Sequence, residues 1–266
     1  MRVLLTGAAG SIGRALCARL DHELVGVDIV EAPEEYDAAQ VTGWVIADVT
    51  DAAAVEAAVA EHRPDAVIHL AGIPTEASLP DELSSHVLTT AALLDAMVTH
   101  GVSRIVFASS NHAVGRTPRT ELLSIGTRLR PDTFYGVGKV AAEALLSLYA
   151  DRYGIDAVCA RIGSFLPAPT TRRHLSTWLS HDDAVRMFTA ALSTPAPGFA
   201  VLYGISANTR AWWDLAPGSR LGYEPRDDAE SWAEQIEALP ETDADAAASA
   251  FVGGEYATPT FHRPAL

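Results

Sequence analysis

Basic residues are scarce in this chain. Its 266 residues include 19 Lys and Arg against 34 Asp and Glu, for a formal net charge of −15. Nucleic acid and anionic lipid would both be repelled by such a surface, so neither is expected as a partner. An anionic small molecule would need a local cationic anchor. Cysteine is almost absent: Cys17 and Cys159 are too few for a disulfide framework and lack metal-ligand spacing. No apolar run approaches the length that spans a bilayer; the longest are short, such as AVIHL at 66–70. The chain enters a strand-like run almost at once (RVLLTG), so no signal peptide is expected. These absences point to a reduced, cytoplasmic protein. No internal repeat is evident.

What is present is core and rhythm. Apolar residues make up 48% of the chain, ample for a packed interior of one large domain. Short apolar runs (RVLLT, ELVGVD, WVIA, AVIHL, RIVFA) alternate with longer helical patterns (SIGRALCARL, DAAAVEAAVAEH, DELSSHVLTTAALLDAMVTH). Strands apolar on both faces belong to a parallel sheet covered on both sides. The βαβα order predicts a doubly wound α/β domain, the Rossmann fold. A further helix is expected over 133–153, then strands at IDAVCARI and FAVLYGIS, with a helix at DDAVRMFTAAL between them. Residues 1–163 read as the nucleotide-binding core. Residues 164–266 read as a small substrate-binding or lid region interleaved with it. ETDADAAASA at 241–250 is of low complexity and reads as a linker or weak helix.

TGAAGSIG follows the first strand and opens the first helix. Gly7 and Gly10 let backbone approach a pyrophosphate, Gly13 lets helix pack on strand, and Ser11 and Ile12 begin the helix whose amides face the phosphates. Asp28 ends the second strand, where a carboxylate accepts hydrogen bonds from a ribose and repels a 2′-phosphate. Ile29, Val30 and Glu31 supply no base, and Arg14 is expected to point along its helix. NAD is therefore expected rather than NADP. Asp48 and Val49 end the third strand; Asp48 either contacts adenine or caps the next helix.

Tyr135 and Lys139, in FYGVGK, share one helix face. An ammonium beside a phenol lowers its pKa and makes it a usable base. Ser110 ends the fifth strand, at the sheet edge where ligands of open α/β folds bind. TGxxGxxG, the acidic strand end, HLAG (Leu70, Ala71 and Gly72), the strand-end serine and YxxxK together resemble the extended short-chain dehydrogenases/reductases. The resemblance narrows through ASSNHAVG, RPDTFYGVGK, ARIGSFLP, RRHLSTWLSHDD, YGISANTRAWWD and FVGGEYATPTF, which look like uronate dehydrogenases. It spans nearly the whole chain.

That resemblance implies an NAD enzyme oxidising the C1 hydroxyl of a cyclic hexuronic acid, such as glucuronate or galacturonate, to an aldarolactone. It makes Tyr135 the acid/base, Lys139 its modulator and ribose ligand, and Ser110 the holder of the reacting hydroxyl. It assigns Ser110, Asn111, His112 and Ser164 to the sugar, and places Phe165 beside the nicotinamide. It gives the substrate carboxylate to Arg173, whose planar fork matches a carboxylate, and leaves Arg172 as a surface charge. On residue type alone the alternatives are a structural role for His112 and local ion pairs for both arginines. The sequence departs from the resemblance at Pro74, where the family carries serine; either Thr75 compensates or substrate preference has moved. His181, Asp182 and Asp183 read as a helix start rather than metal ligands. Homo-oligomers are the family expectation. The rival functions are a sugar-nucleotide epimerase or dehydratase, and a non-catalytic dinucleotide sensor.

Overall fold

The computed structural model describes residues 1–266 apart from Ala38, Thr120, Glu121, Glu241, Thr242 and His262. The first half alternates strand and helix except between β2 and β3: β1 (Arg2–Thr6), α1 (Ser11–Arg19), β2 (Glu23–Asp28), β3 (Val41–Ile46), α2 (Ala52–His62) and β4 (Ala66–His69). Then come α3 (Leu79–Glu82), a π-helical turn (Leu83–Leu88) and α4 (Thr89–His100), which run on from one another. β5 (Arg104–Ser110), α5 (Phe134–Tyr153) and β6 (Asp156–Ile162) complete the alternation. The remainder holds β7 (Ser164–Phe165), α6 (His174–Thr177), β8 (Trp178–Leu179), α7 (His181–Ser193), β9 (Phe199–Gly204), α8 (Ala216–Arg220), α9 (Ala233–Glu237) and α10 (Asp243–Ala248). The low-complexity run thus carries α10, while its first two residues lie outside the described ones.

Seven strands form one sheet in the order β3-β2-β1-β4-β5-β6-β9. Every pair within it is parallel. The order reverses between β1 and β4, which opens the crevice where ligands of such sheets sit. β9 comes from the C-terminal third, so residues beyond 163 extend the sheet itself. One apolar layer joins Val3, Leu5, Ile68, Val106 and Val158 to Met187 and Phe188 of α7. The other joins Leu4, Val25, Val67 and Phe107 to Leu93 and Met97 of α4 and Leu146 of α5. Strands buried on both faces explain why their sequences show no alternation. A separate cluster of Val114, Leu123, Tyr203, Trp212, Trp213 and Val252 anchors the C-terminal segment against the loop after β5. Among the described residues no helix is long and apolar enough to cross a membrane.

Candidate active site

The glycine turn is built by sterics. Gly7 has φ +72°, and a Cβ there would lie 2.8 Å from the Ala71 nitrogen. A Cβ on Gly13 would lie 2.4 Å from the carbonyl oxygens of Gly7 and Ala8. The turn therefore packs tightly against both β4's exit loop and its own helix. Gly10, at the N-cap of α1, gives no side-chain capping bond, so the first-turn amides are left for a ligand. The Asp28 carboxylate accepts from the Ala9 amide at 2.8 Å and from the Ile29 amide at 2.8 Å. Ile29 and Val30, both exposed, line the cleft beside Asp28 and bring no cation to it. Arg14 is held by the Ala9 carbonyl at 2.9 Å and by Glu35. Its charge is already answered, and the residues present fit NAD better than a phosphorylated ribose.

A cleft of about 940 Å³ runs from this turn to the ends of β4 and β5. Gly7, Gly10, Ser11, Ile12, Gly13 and Asp28 line one end; Asp48, Val49, Leu70, Ala71 and Gly72 line the wall; Ser110, Tyr135, Lys139 and Phe165 line the far end. Asp48 does not cap α2: Asp51 does, through the amides of Ala53 and Ala54, while Asp48 accepts from Thr50. Pro74 lines the cleft whereas Thr75 does not.

α5 is aimed by its N-terminus. Thr133 caps it through the Gly136 amide at 2.9 Å, and the Glu76 carboxylate takes the Phe134 and Tyr135 amides at 2.9 and 3.0 Å. Lys139 donates to the Ala108 carbonyl at 2.8 Å, with Nζ 5.4 Å from the Tyr135 ring centroid. Burial pushes Tyr135 up to about 12, against the lowering effect of a Ser110 hydrogen bond. Burial also drives Lys139 down to about 7, while Glu82 and Glu143 favour its charge. Desolvation dominates both groups, and the expected lowering of the phenol by Lys139 is not among the effects on Tyr135. Glu143 itself is held by Arg161 at 2.9 and 2.8 Å and by Ser109 at 2.5 Å.

Of the residues expected at the sugar, Ser110 and Tyr135 line the cleft, whereas Asn111, His112, Ser164 and Arg173 lie outside its lining. Ser110 accepts from the His112 amide at 3.2 Å and donates to Asn111 Oδ1 at 3.3 Å. The His112 ring stands edge-on to Tyr135 and to Tyr256, with centroids 5.9 and 5.2 Å apart. Tyr256 also lines a neighbouring pocket of about 420 Å³, and so does Arg173. Arg173 donates through Nη1 to Ser164 at 3.3 Å and through Nη2 to the Val252 carbonyl at 2.6 Å. Its Nε is buried with no partner among the described residues. Burial lowers its pKa to about 10, with the charge of Asp132 acting in opposition. Ser164 reaches Thr177 at 2.8 Å, so the β7–β8 pairing ties the LSTW run to the serine. Arg172 lines the same pocket, but its guanidinium holds the Glu237 and Leu239 carbonyls at 2.9 and 3.1 Å. Phe165 stacks on His181 at 4.5 Å. Asp183 binds Arg186 at 2.5 Å and the amides of Arg226 and Asp227 at 2.8 and 2.9 Å, which gives the acidic helix start a structural use.

Sequence reasoning did not single out Glu76, Glu82, His86, Asp132 or Tyr256. His86 lines the cleft from the π-helical turn, between Gly72 and Gly138, whose Cβ atoms would lie 2.5 and 3.1 Å from its ring. Its ring meets Tyr135 edge-on at 5.1 Å. Glu82 Oε2 lies 3.1 Å from His86 Nε2, without the alignment of a hydrogen bond. Burial holds His86 down to about 2 and pushes Glu82 up to about 7. π turns cluster at functional sites, yet nothing in DELSSHVL marks one.

A parallel sheet with a glycine turn, an acidic second-strand end and a serine, tyrosine and lysine at one cleft defines a class, the dinucleotide-dependent oxidoreductases of the short-chain type. The model of the NAD dependent epimerase/dehydratase family matches residues 3–181. A uronate dehydrogenase of Pseudomonas putida is 38% identical over 257 residues, covering 96% of this chain and 95% of that one. A solved uronate dehydrogenase of Agrobacterium tumefaciens, a tyrosine-to-alanine variant complexed with NAD, superposes with TM-score 0.89 at 37% identity and covers 99% of both chains. The glucuronic acid dehydrogenase of Chromohalobacter salexigens superposes with TM-score 0.88 at 39% identity, covering 96% of each chain. The chain belongs to the NAD dependent epimerase/dehydratase family and, within it, to the uronate dehydrogenases.

Proposed function

We propose that this enzyme oxidises a hexuronic acid at C1 with NAD, giving the aldarolactone. The observation that carries the substrate class is Arg173: a guanidinium with a buried, unpartnered Nε, in a pocket joined to Tyr135 through Tyr256 and His112. A desolvated guanidinium is costly to leave without an anion, and the C6 carboxylate is what separates a uronate from its parent hexose. The named relatives, matched end to end, support the same class.

In this reading residues 1–163 hold the dinucleotide and residues 164–266 hold the far end of the sugar. NAD, when bound, supplies the hydride acceptor and a cationic ring. Tyr135 takes the C1 hydroxyl proton as the C1–H electron pair leaves, and the C1–O bond becomes the lactone carbonyl. Ser110 donates to that oxygen as its charge develops. Lys139 and Asp28 hold the two riboses. Arg173 and Ser164 fix the carboxylate end, and Asn111 and His112 take ring hydroxyls, so C1 stays in a near-attack pose. The test is formation of NADH, followed by absorbance, with glucuronate, galacturonate, glucose and UDP-glucose in turn. Turnover confined to the two acids is expected. Turnover of the sugar nucleotide in preference to the free acids would overturn the reading.

A further inference from the structure

Asp132 and Glu82 are two fully enclosed carboxylates near the site. The Asp132 side chain has no exposed surface. Both its oxygens face His112 Nδ1, at 2.9 and 3.0 Å, and Thr133 Oγ1 donates to Oδ1 at 3.3 Å. Its space is made by two glycines from distant parts of the chain. A Cβ on Gly115 would lie 2.2 Å from the carboxylate, and one on Gly253 would lie 1.5 Å from Oδ2. The Gly253 amide donates to the Gly115 carbonyl at 2.9 Å, which clasps the two glycine segments over the acid. Three segments therefore meet on one buried carboxylate: the turn after β5, the start of α5 and the C-terminal FVGGEY run.

A buried carboxylate without donors is strongly disfavoured. Thr133 gives one long bond, so the imidazole is the main donor and Nδ1 must carry hydrogen. That fixes the tautomer. Nε2 is then the nitrogen left for a ligand, and among the described residues it has no protein partner. The ring bearing it stands edge-on to Tyr135, the proposed base. Packing against Tyr256 on the other side limits its swing.

We propose that Asp132 is a positioning residue for substrate binding: it locks His112 as the Nδ1–H tautomer in one orientation, presenting Nε2 as the acceptor for a sugar hydroxyl beside the reacting carbon. The inference rests on the uronate-oxidation reading for its consequence, but the tautomer itself does not. Asp132 touches no reacting atom and lies outside the cofactor cleft. Its hydrogen bond goes to His112, and its charge also favours the charged form of Arg173.

The test is a double-mutant cycle on the full chain: wild type, Asp132→Asn, His112→Gln and the double variant, with NAD and glucuronate. Losing one hydrogen bond to a charged or aligned partner corresponds to about a 10- to 100-fold fall in kcat/KM. Asp132→Asn is expected to show that fall, chiefly in KM for the sugar, with NAD affinity changed by less than about twofold. In the His112→Gln background the same change should cost less than about threefold, since the residue it serves is gone. If the two losses multiply, or NAD affinity falls in step, Asp132 acts through the fold or through Arg173 and the inference fails. Nitrogen-15 NMR of histidine-labelled wild-type protein reads the tautomer without turnover, and it remains decisive if Asp132→Asn does not fold. Protonated Nδ1 is expected at His112; an Nε2–H tautomer would overturn the proposal. Lack of turnover in the wild type with the expected tautomer present would instead sink the uronate reading.

Discussion

The Asp28 carboxylate accepts the Ala9 amide at 2.8 Å, joining the end of β2 to the glycine turn. One acid thus shapes the turn and lines the cleft, where we propose that it holds a ribose. Loss of Asp28 should therefore hurt NAD binding twice, through the contact and through the turn.

Cofactor choice follows from the same acid. With Arg14 already held by Glu35 and the Ala9 carbonyl, nothing offsets a 2′-phosphate. NAD should be preferred over NADP by at least about tenfold in kcat/KM, since a repelled phosphate exceeds about 1.4 kcal/mol. Asp28→Ser with Ile29→Arg should move the preference toward NADP. Equal kcat/KM for the two cofactors in the wild type would contradict this.

Tyr135→Phe keeps the ring and its edge contacts with His86 and His112. It removes only the ionisable oxygen. A fall of roughly 10² to 10⁴ in kcat is expected, the range for a general acid/base group. NAD affinity should barely change. A variant that keeps most of its kcat would make Tyr135 structural.

Stability should fall with acid. His69 is buried, shares a hydrogen bond with Thr6 at 2.7 Å, and burial lowers its pKa to about 3. Unfolded histidine titrates near about 6.5. The stabilisation is therefore complete above that value and is lost as pH drops toward 3, because the unfolded chain binds a proton that the folded one refuses. The slope is up to about 1.4 kcal/mol per pH unit. His86, held down to about 2, acts in the same direction. Urea melts of wild type and His69→Gln at pH about 6 and about 5 check this: the variant should lose less stability between them. Parallel losses would mean that carboxylates alone set the acid sensitivity.

The sheet was legible because its chemistry is local. RVLLT, ELVGVD and AVIHL carry unbroken apolar runs between glycine turns and helices, and they pair as a parallel sheet should. The turn itself needs Gly7 and Gly13 for steric reasons visible in their spacing. Tyr135, Lys139 and Ser110 reach one cleft because strand ends and helix starts of this fold converge there. Asp132 was not legible: its enclosure depends on Gly253, more than a hundred residues away, and no spacing rule connects them. The π turn at Leu83–Leu88 shares its residue pattern with ordinary helix, so His86 gave no signal. Arg172 read as a surface charge, and at an exposed position it holds the carbonyls of Glu237, the last residue of α9, and Leu239. Its removal should lower the melting temperature slightly rather than alter substrate choice.

Arg173 carries the claim that the substrate is an acid, so its substitution tests that claim most directly. Arg173→Met keeps the stem and removes the fork. Truncating one partner of a desolvated charge pair costs roughly 2 to 5 kcal/mol, or about a 30- to 4,000-fold fall in kcat/KM. The measurement is steady-state kinetics of wild type and Arg173→Met on glucuronate and on glucose, with Arg172→Met alongside. The account predicts a fall of that size for glucuronate, a far smaller one for the residual turnover of glucose, and little change in Arg172→Met. Equal falls for acid and neutral sugar would make Arg173 a support for Val252 and Ser164 alone, and a crippled Arg172→Met would place the carboxylate on the other arginine.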